Sequence, residues 1–334
     1  MPHPRKYRTL GVDTQYKSEH LNENSNASIE LFTLGASLWM AVVMLLFLAG
    51  TNRVSAGSLA SYWGQNGNEG SLADVCSSRS YDILMISFLN VFGNGQTPAL
   101  NLAGHCDPSS GGCQGLASDV QSCQTSGKKV ILSLGGAVGS YGLSSTQDAQ
   151  DVAQYLWDNF FGGSSASSPL GAVQLDGIDL DIEAGGSSYY SDLIATLRSL
   201  AQNYGKALFI TAAPQCPFPD ARLGPGDGTA LSAGVDYVFV QFYNNPQCEY
   251  QGSSDQLVAA WNQWTSSLTS SQVFLGVPAS DSTDTAGSGY IDPNTLVNTI
   301  LPLIKTASNY GGVMLWNVYA DEQTNYSTQI RGSV

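Results

Sequence analysis

The sequence predicts a single α/β domain, a (β/α)8 TIM barrel. Three observations support this prediction: eight short apolar runs, helical periodicity between several of them, and a length that suits one such domain. The runs are SLASYWGQ (58–65), ILMISFLN (83–90), KVILSLGG (129–136), LDGIDLDIE (175–183), ALFITAAP (207–214), YVFVQFYNN (237–245), VFLGVPA (273–279) and GVMLWNV (312–318). Near-continuous apolar runs are typical of parallel strands that are buried on both faces. The region from Gly57 to Val334 is slightly longer than the about 250 residues of a typical barrel.

Helical periodicity appears in three of the intervals between the runs. One predicted face carries Leu193, Ile194, Leu197, Leu200 and Ala201, with Gly205 as the stop. A second carries Leu257, Val258, Trp261, Thr265 and Leu268. A third follows Asp292 as N-cap and Pro293 in the first turn, and carries Leu296, Val297, Ile300, Leu301 and Ile304. Alternating strands and helices predict a parallel sheet, and eight strands in a single domain favour its closure into a barrel. The alternative is an open doubly wound sheet, but no GxGxxG or P-loop motif is present.

The charge balance restricts the possible partners. The chain has 13 Lys and Arg residues against 27 Asp and Glu residues, which gives a formal net charge of −14. Such a surface repels phosphate backbones, and no basic patch with interleaved aromatic residues is present. We therefore expect no nucleic-acid partner, whereas an uncharged polymer is compatible with this composition.

The cysteine and histidine inventory favours disulfides over metal binding. All six cysteines lie downstream of residue 75, none forms a CxxC pair, and the chain has only three histidines. A zinc site with ordinary ligand spacing cannot be built from this set, so we expect no metal and no other cofactor. An even number of cysteines after an apolar leader predicts disulfides formed in an oxidising compartment, with 15 possible pairings. The alternative is that the six remain buried free thiols.

An apolar leader precedes the predicted barrel. Residues 31–50 carry no charge, and the densest apolar part runs from 38 to 49, which suits a signal-peptide core. Val54-Ser55-Ala56 places small residues at a cleavage site, so we expect cleavage after Ala56 and secretion of residues 57–334 as the catalytic domain. The polar stretch 1–30 is unusual for a signal peptide. Either translation starts at Met40, or the apolar run is long enough to remain in a membrane as a signal anchor. In neither case do we expect residues 1–56 to belong to the fold.

The run 175–183 carries three acids in alternation. In a strand, Asp179, Asp181 and Glu183 share one face, and we expect that face to point to the barrel axis. Carboxyl groups spaced by about 6 to 7 Å in a poorly hydrated interior cannot all ionise cheaply, so at least one should hold a proton near neutral pH. Glu183 comes last, nearest the carboxyl rim where barrel active sites form, and is the candidate general acid. The alternative is a solvated acidic edge strand.

The stretch DGIDLDIE (176–183) resembles the DxxDxDxE signature of glycoside hydrolase family 18. The whole region 57–334 is similar to plant class III chitinases of the hevamine type. The motifs that carry this resemblance also include SYWGQNGNEG (61–70), FGNGQTPALNLAGHC (92–106), ILSLGG (131–136), YLWDNF (155–160), TAAPQCPFPD (211–220), VQFYNNPQC (240–248) and GGVMLW (311–316).

The resemblance implies a retaining, substrate-assisted endo-hydrolysis of β-1,4-linked N-acetylglucosamine polymers such as chitin. The carbonyl oxygen of the substrate's own acetamide attacks the anomeric carbon and forms an oxazolinium ion. Glu183 then corresponds to the acid that protonates the leaving oxygen. Asp181, backed by Asp179, orients the acetamide nitrogen, and Tyr243 donates to the acetamide oxygen.

The resemblance also implies the cleft and the disulfides. Trp316 corresponds to the aromatic floor, and the remaining implied cleft residues are Tyr62, Gln65, Phe88, Asn101 and Gln241. For an isolated aromatic residue, core packing is the usual alternative. The implied disulfides are Cys76 with Cys123, Cys106 with Cys113, and Cys216 with Cys248.

Two alternatives to chitin hydrolysis follow from the same family. Barrels of this kind include catalytically inactive storage proteins, lectins and xylanase inhibitors, which usually lose the acid, the orienting aspartate or the tyrosine. A lysozyme side activity on peptidoglycan is also implied. We expect a secreted monomer that binds chitin or N-acetylglucosamine oligosaccharides, and that contacts a membrane only if the leader is not cleaved.

Overall fold

The computed structural model describes residues 56–165 and 168–334. The predicted leader, residues 1–56, lies outside this part of the chain except for Ala56. Within 56–165 and 168–334, no helix has the length and apolar character needed to span a bilayer.

Eight parallel strands close into a barrel, which confirms the predicted fold. They are β1 (Ser58–Trp63), β2 (Ile83–Phe92), β3 (Lys129–Gly135), β4 (Gly177–Asp181), β5 (Phe209–Ala212), β6 (Tyr237–Gln241), β7 (Gln272–Pro278) and β8 (Tyr310–Trp316). Each strand pairs in parallel with the next along the chain, and β8 pairs with β1 to close the ring. Every predicted run contains most of one strand, but β4 is shorter than predicted and β8 begins two residues earlier.

The strands alternate with helices on the outside of the barrel. The helices are α1 (Leu72–Ser78), α2 (Leu116–Thr125), α3 (Thr146–Phe160), α4 (Tyr190–Asn203), α5 (Asp255–Ser267), α6 (Pro293–Thr295, then the π-helical Leu296–Ile300, then Leu301–Ile304), α7 (Val318–Thr324) and α8 (Tyr326–Ile330). Two additional two-residue strands, Ala99–Leu100 and Ser140–Tyr141, pair with the end of β2 at the carboxyl rim.

The predicted helix faces are confirmed with one omission. In α4 the buried residues include Leu193, Ile194, Leu197 and Ala201. In α6 the Asp292 side chain accepts a hydrogen bond from the Thr295 backbone N–H at 3.0 Å, as expected of an N-cap. In α5 the periodicity overlooked Trp264, which is fully buried and whose indole N–H donates to the Cys216 carbonyl at 2.8 Å.

Two separate apolar cores explain why the strands are apolar on both faces. A large outer core lies between strands and helices. A smaller inner core fills the barrel and includes Tyr62, Met85, Phe239, Phe274 and Met314. Because the inner core occupies the lower part of the barrel, polar inward-facing side chains lie only near the carboxyl ends of the strands.

Three disulfides join the cysteines in the pairs that the resemblance implied: Cys76–Cys123, Cys106–Cys113 and Cys216–Cys248. The first links α1 to α2, and the other two lie in segments beside the carboxyl rim. The sequence separations are 47, 7 and 32 residues, respectively.

Loop length should grade the stability lost when each disulfide is removed. Because a cross-link restricts the unfolded chain more when it closes a longer loop, replacing each pair by alanine should cost about 2.5 kcal/mol for Cys106–Cys113, about 3.7 for Cys216–Cys248 and about 4.1 for Cys76–Cys123. Denaturant unfolding of the three double variants beside wild type measures this order. An equal loss in all three would contradict the loop-closure explanation.

Candidate active site

The acids of β4 lie inside the barrel, as the alternation predicted. Ile178 and Leu180 belong to the outer core, whereas Asp179 and Asp181 point inward and are buried. Glu183 lies two residues beyond the last residue of the strand and is partly exposed. Asp179 and Asp181 therefore lie in the barrel interior, whereas Glu183 lies at the carboxyl rim.

Asp179 is held by three hydroxyl groups. Its carboxylate accepts hydrogen bonds from Tyr62 at 2.9 Å, Ser133 at 2.7 Å and Thr211 at 2.7 Å. Ser133 and Thr211 are its register partners on β3 and β5, so the barrel itself aligns them. Burial raises the pKa of Asp179, and these donors oppose the rise by stabilising the ionised form.

Asp181 and Glu183 form a pair of carboxyl groups that act on each other's ionisation. Burial raises the pKa of Asp181 well above its ordinary value, and the charges of Glu183 and Asp179 raise it further. Burial also raises the pKa of Glu183, while donors from Gln241 and Asp181 oppose that rise. Two interacting carboxyl groups in a poorly hydrated site titrate as a unit, and ionising both of them is costly.

The backbone at Glu183 is fixed by Tyr141, a residue that sequence reasoning did not identify. The Tyr141 hydroxyl accepts from the backbone N–H groups of Glu183 at 3.2 Å and Ala184 at 3.1 Å, and donates to the Gly136 carbonyl at 2.5 Å. Gly135 has φ +112°, and a β-carbon there would lie 2.1 Å from the Asp181 carbonyl oxygen. Gly135, at the end of β3, therefore allows the backbones of β3 and β4 to approach closely.

A groove of about 550 Å³ opens above the pair. Its lining includes Asp181, Glu183, Tyr243, Gln241, Phe88 and Trp316 from the predicted site. The Trp316 ring lies 6.2 Å from that of Phe88, and its indole N–H donates to the Thr285 carbonyl at 3.0 Å. Burial and the charges of Asp181, Glu183 and Asp179 raise the pKa of Tyr243, so its hydroxyl remains a donor.

The remaining predicted cleft residues lie around the groove and not in its lining. Tyr62 lies below it, 5.4 Å from the Trp316 ring, with its hydroxyl on Asp179. The Gln65 side-chain amide donates to the backbone carbonyls of Gly64, Ser87 and Asn101. Asn101 is exposed, and its side chain accepts from the Ala103 N–H. These residues support the rim and the floor.

Five polar residues of the lining were not predicted: Gln215, Asp220, Arg222, Asn244 and Thr285. The first three follow β5, and their only sequence signal is their position just after a strand end. Asp220 accepts from the backbone N–H groups of Gln215, Arg222 and Leu223, so its carboxylate orders this loop. The Arg222 side chain lines the groove and donates to the Gly185 carbonyl.

No cluster of His, Cys, Asp or Glu side chains suited to a metal ion occurs in 56–165 and 168–334.

Comparison with known proteins identifies the family. The sequence model described as "Glycosyl hydrolases family 18" matches residues 58–295. The chain belongs to glycosyl hydrolase family 18. An acidic endochitinase of Vitis vinifera is 51% identical over 297 residues, which cover 88% of this chain and 97% of the relative. The crystal structure of the chitinase ICChI from Ipomoea carnea has a TM-score of 0.79 at 46% identity and covers 83% of this chain and 100% of that one.

Family 18 likeness also extends to proteins with other names. The xylanase and α-amylase inhibitor XAIP-II from Scadoxus multiflorus has a TM-score of 0.76 at 42% identity, and covers 84% of this chain and 100% of that one. The barrel is therefore shared by proteins described as enzymes and as inhibitors, so the assignment of activity depends on the groove.

Burial of Asp181 should make the stability of this family 18 barrel depend on pH. Its folded-state pKa lies above the unfolded value of about 3.9. A raised pKa contributes stability below the unfolded value and loses it as the pH rises through the folded value. Asp181→Asn should therefore raise the free energy of unfolding at pH 7, by about 1.4 kcal/mol for each unit of the upward shift, and change it little at pH 3.5.

Thermal unfolding followed by circular dichroism at both pH values checks this expectation. Asp151→Asn, on the exposed side of α3, is the matched control and should show no such pH dependence. A lower melting temperature of Asp181→Asn at pH 7 than at pH 3.5, each relative to wild type, would contradict it.

Proposed function

We propose that this chain hydrolyses chitin, a β-1,4-linked polymer of N-acetylglucosamine, at internal bonds and with retention of anomeric configuration. The observation that carries the proposal is the Asp181–Glu183 carboxyl pair, which shares a groove with the Tyr243 hydroxyl above the Trp316 ring. The endochitinase names of relatives at about half identity support the same substrate class.

The geometry supports a nucleophile supplied by the substrate. The Asp181 carboxyl group is already bound by the Gln241 amide at 2.8 Å and interacts with Glu183. Asp220, the remaining carboxylate among the described lining residues, is occupied by three backbone N–H groups. An acetamide oxygen can reach the anomeric carbon without any of them.

In this mechanism Glu183 donates its proton to the glycosidic oxygen as the bond to the anomeric carbon breaks. The acetamide oxygen forms a bond to that carbon, Asp181 accepts a hydrogen bond from the acetamide N–H, and Tyr243 donates to the acetamide oxygen. Water then attacks the anomeric carbon of the oxazolinium ion and gives its proton to Glu183, which restores the acid. The second displacement restores the original configuration.

The second candidate is a binding protein without catalysis, favoured by the likeness to xylanase and amylase inhibitors. Such a protein needs the barrel but no proton donor. The retention of the acid, the orienting aspartate and the tyrosine around an open groove favours the enzyme.

Substitution of the acid should separate the two candidates. With N-acetylglucosamine hexamer as substrate, Glu183→Gln should lose activity by about 10²- to 10⁴-fold, because glutamine cannot donate the proton. Tyr243→Phe should lose about 10²- to 10³-fold through loss of one donor. Proton NMR of early products should show the β-anomer, and Glu322→Gln, outside the groove, should retain wild-type rates. Equal rates for wild type and Glu183→Gln would remove Glu183 from its role, and tight hexamer binding without turnover in wild type would favour the binding protein.

We also propose that residues 1–56 direct secretion and are removed. Three disulfides in the barrel are suited to an oxidising compartment, and the leader ends in Val54-Ser55-Ala56.

Expression of the full chain in a secreting eukaryotic host tests this proposal. Amino-terminal sequencing of protein from the medium should begin at Gly57, and a chain started at Met40 should give the same mature end. Recovery of the protein only from membranes after carbonate extraction, with residues 31–50 still attached, would show that the leader acts as an anchor.

A further inference from the structure

A line of three side-chain amides runs from the carboxyl pair to the outer edge of the groove. The Gln241 amide N–H2 group donates to Asp181 Oδ1 at 2.8 Å and to the Ala213 carbonyl at 3.0 Å. Gln215 Nε2 donates to Gln241 Oε1 at 3.0 Å. Asn245 Nδ2 donates to Gln215 Oε1 at 2.5 Å and to the Tyr243 carbonyl at 2.9 Å.

Both ends of this amide line fix its polarity. The Ala213 carbonyl can only accept, so the nitrogen of the Gln241 amide must face it and Asp181, and its oxygen must face Gln215. The Gln215 oxygen then faces Asn245, whose nitrogen also meets a carbonyl that can only accept. Every amide therefore has one orientation in which all contacts are donor to acceptor, and reversing any one of them places like groups together.

The backbone on either side keeps the amide line in place. The Gln241 backbone N–H donates to the Pro214 carbonyl at 2.8 Å, and the Cys216 N–H donates to the Gln241 carbonyl at 3.2 Å. The disulfide Cys216–Cys248 ties the segment of Gln215 to that of Asn245. The Asn245 backbone N–H donates to the fully buried Glu249 at 2.7 Å.

We propose that Gln215 and Asn245 are positioning residues that lock the Gln241 N–H2 group onto Asp181, and so set where the Asp181–Glu183 pair holds its proton. The proposal deepens the proposed function and rests on it. Without the line, the Ala213 carbonyl alone opposes rotation of the Gln241 amide, so the amide presents its oxygen to the carboxylate more often. Asp181 then loses its donor and keeps a proton to higher pH, so it can no longer accept from an acetamide N–H.

Charged and titratable groups surround the pair on all sides, and any effect of the amide line adds to theirs. Those that act on the pair or contact it from the neighbouring strands and loops are Asp179, Tyr62, Tyr141, Asp220, Arg222 and Tyr243. Gln215 and Asn245 carry no charge, so replacing them by uncharged residues leaves this field unchanged and isolates the hydrogen bond.

The test compares Gln215→Met, Asn245→Ala and the double variant in the otherwise intact chain. We expect kcat on N-acetylglucosamine hexamer to fall by about 10- to 100-fold with little change in KM. The acidic limb of the kcat profile should move up by about one to two pH units, the equivalent of one hydrogen bond to a carboxylate. Because both changes break one line, the double variant should be no worse than the more severe single variant.

Two controls separate positioning from general loss of structure. Gln154→Met, on the exposed surface of α3, should change neither kcat nor the limb. Carboxyl-carbon NMR of Asp181 and Glu183 should show the same upward movement in Gln215→Met without any need for turnover. If wild type does not hydrolyse the hexamer but the NMR titration moves, the proposed function fails and the positioning role stands. An unmoved limb and an unmoved NMR titration, or additive losses in the double variant, would overturn the positioning role.

Discussion

Two carboxyl groups buried on successive inward positions of β4 are the constraint on which the rest of the site depends. Asp179 and Asp181 are buried, and no cationic side chain of the described residues forms an ion pair with either of them. The two buried carboxyl groups are stabilised in different ways. Asp179 accepts hydrogen bonds from three hydroxyls that stabilise its ionised form, whereas the charges of Glu183 and Asp179 favour the protonated form of Asp181. The Asp179 charge therefore raises the pKa of Asp181 and helps the Asp181–Glu183 pair to retain a proton.

Support for this arrangement comes from regular structure below the pair and from irregular structure above it. Ser133 and Thr211 reach Asp179 because parallel register places them beside it. Tyr141 acts from the short strand Ser140–Tyr141 and Gln215 from the segment after β5, both beyond the regular part of the barrel. The glycine turn at 135–136 and the disulfide at Cys216 give these segments defined positions. The barrel strands bury the carboxyl groups, and the segments beyond the strands orient the groups that face the groove.

The sequence predicted the strands well because burial on both faces leaves a strong apolar signal, and it predicted the acids because strict alternation assigns them one face. The sequence could not predict how deep in the barrel each inward-facing side chain lies. Tyr62 shares the inward face with groove residues, yet it lies below them and binds Asp179, since alternation does not distinguish levels of a barrel. It also could not find Gln215 or Tyr141, because their roles come from contacts between distant loops that no local period records.

The division between barrel and loops also bears on why enzymes and inhibitors share this fold. The layer of Tyr62, Ser133, Asp179 and Thr211 satisfies a buried charge, so removing one member harms folding whether or not the protein catalyses a reaction. Gln215 and Asn245 of the amide line are not needed for folding in this way, because both are partly exposed and water can replace their contacts. A relative released from catalysis is therefore free to lose the amide line while it keeps the layer. The orientation of Gln241 is then a more sensitive indicator of activity than the presence of the barrel or of Asp179.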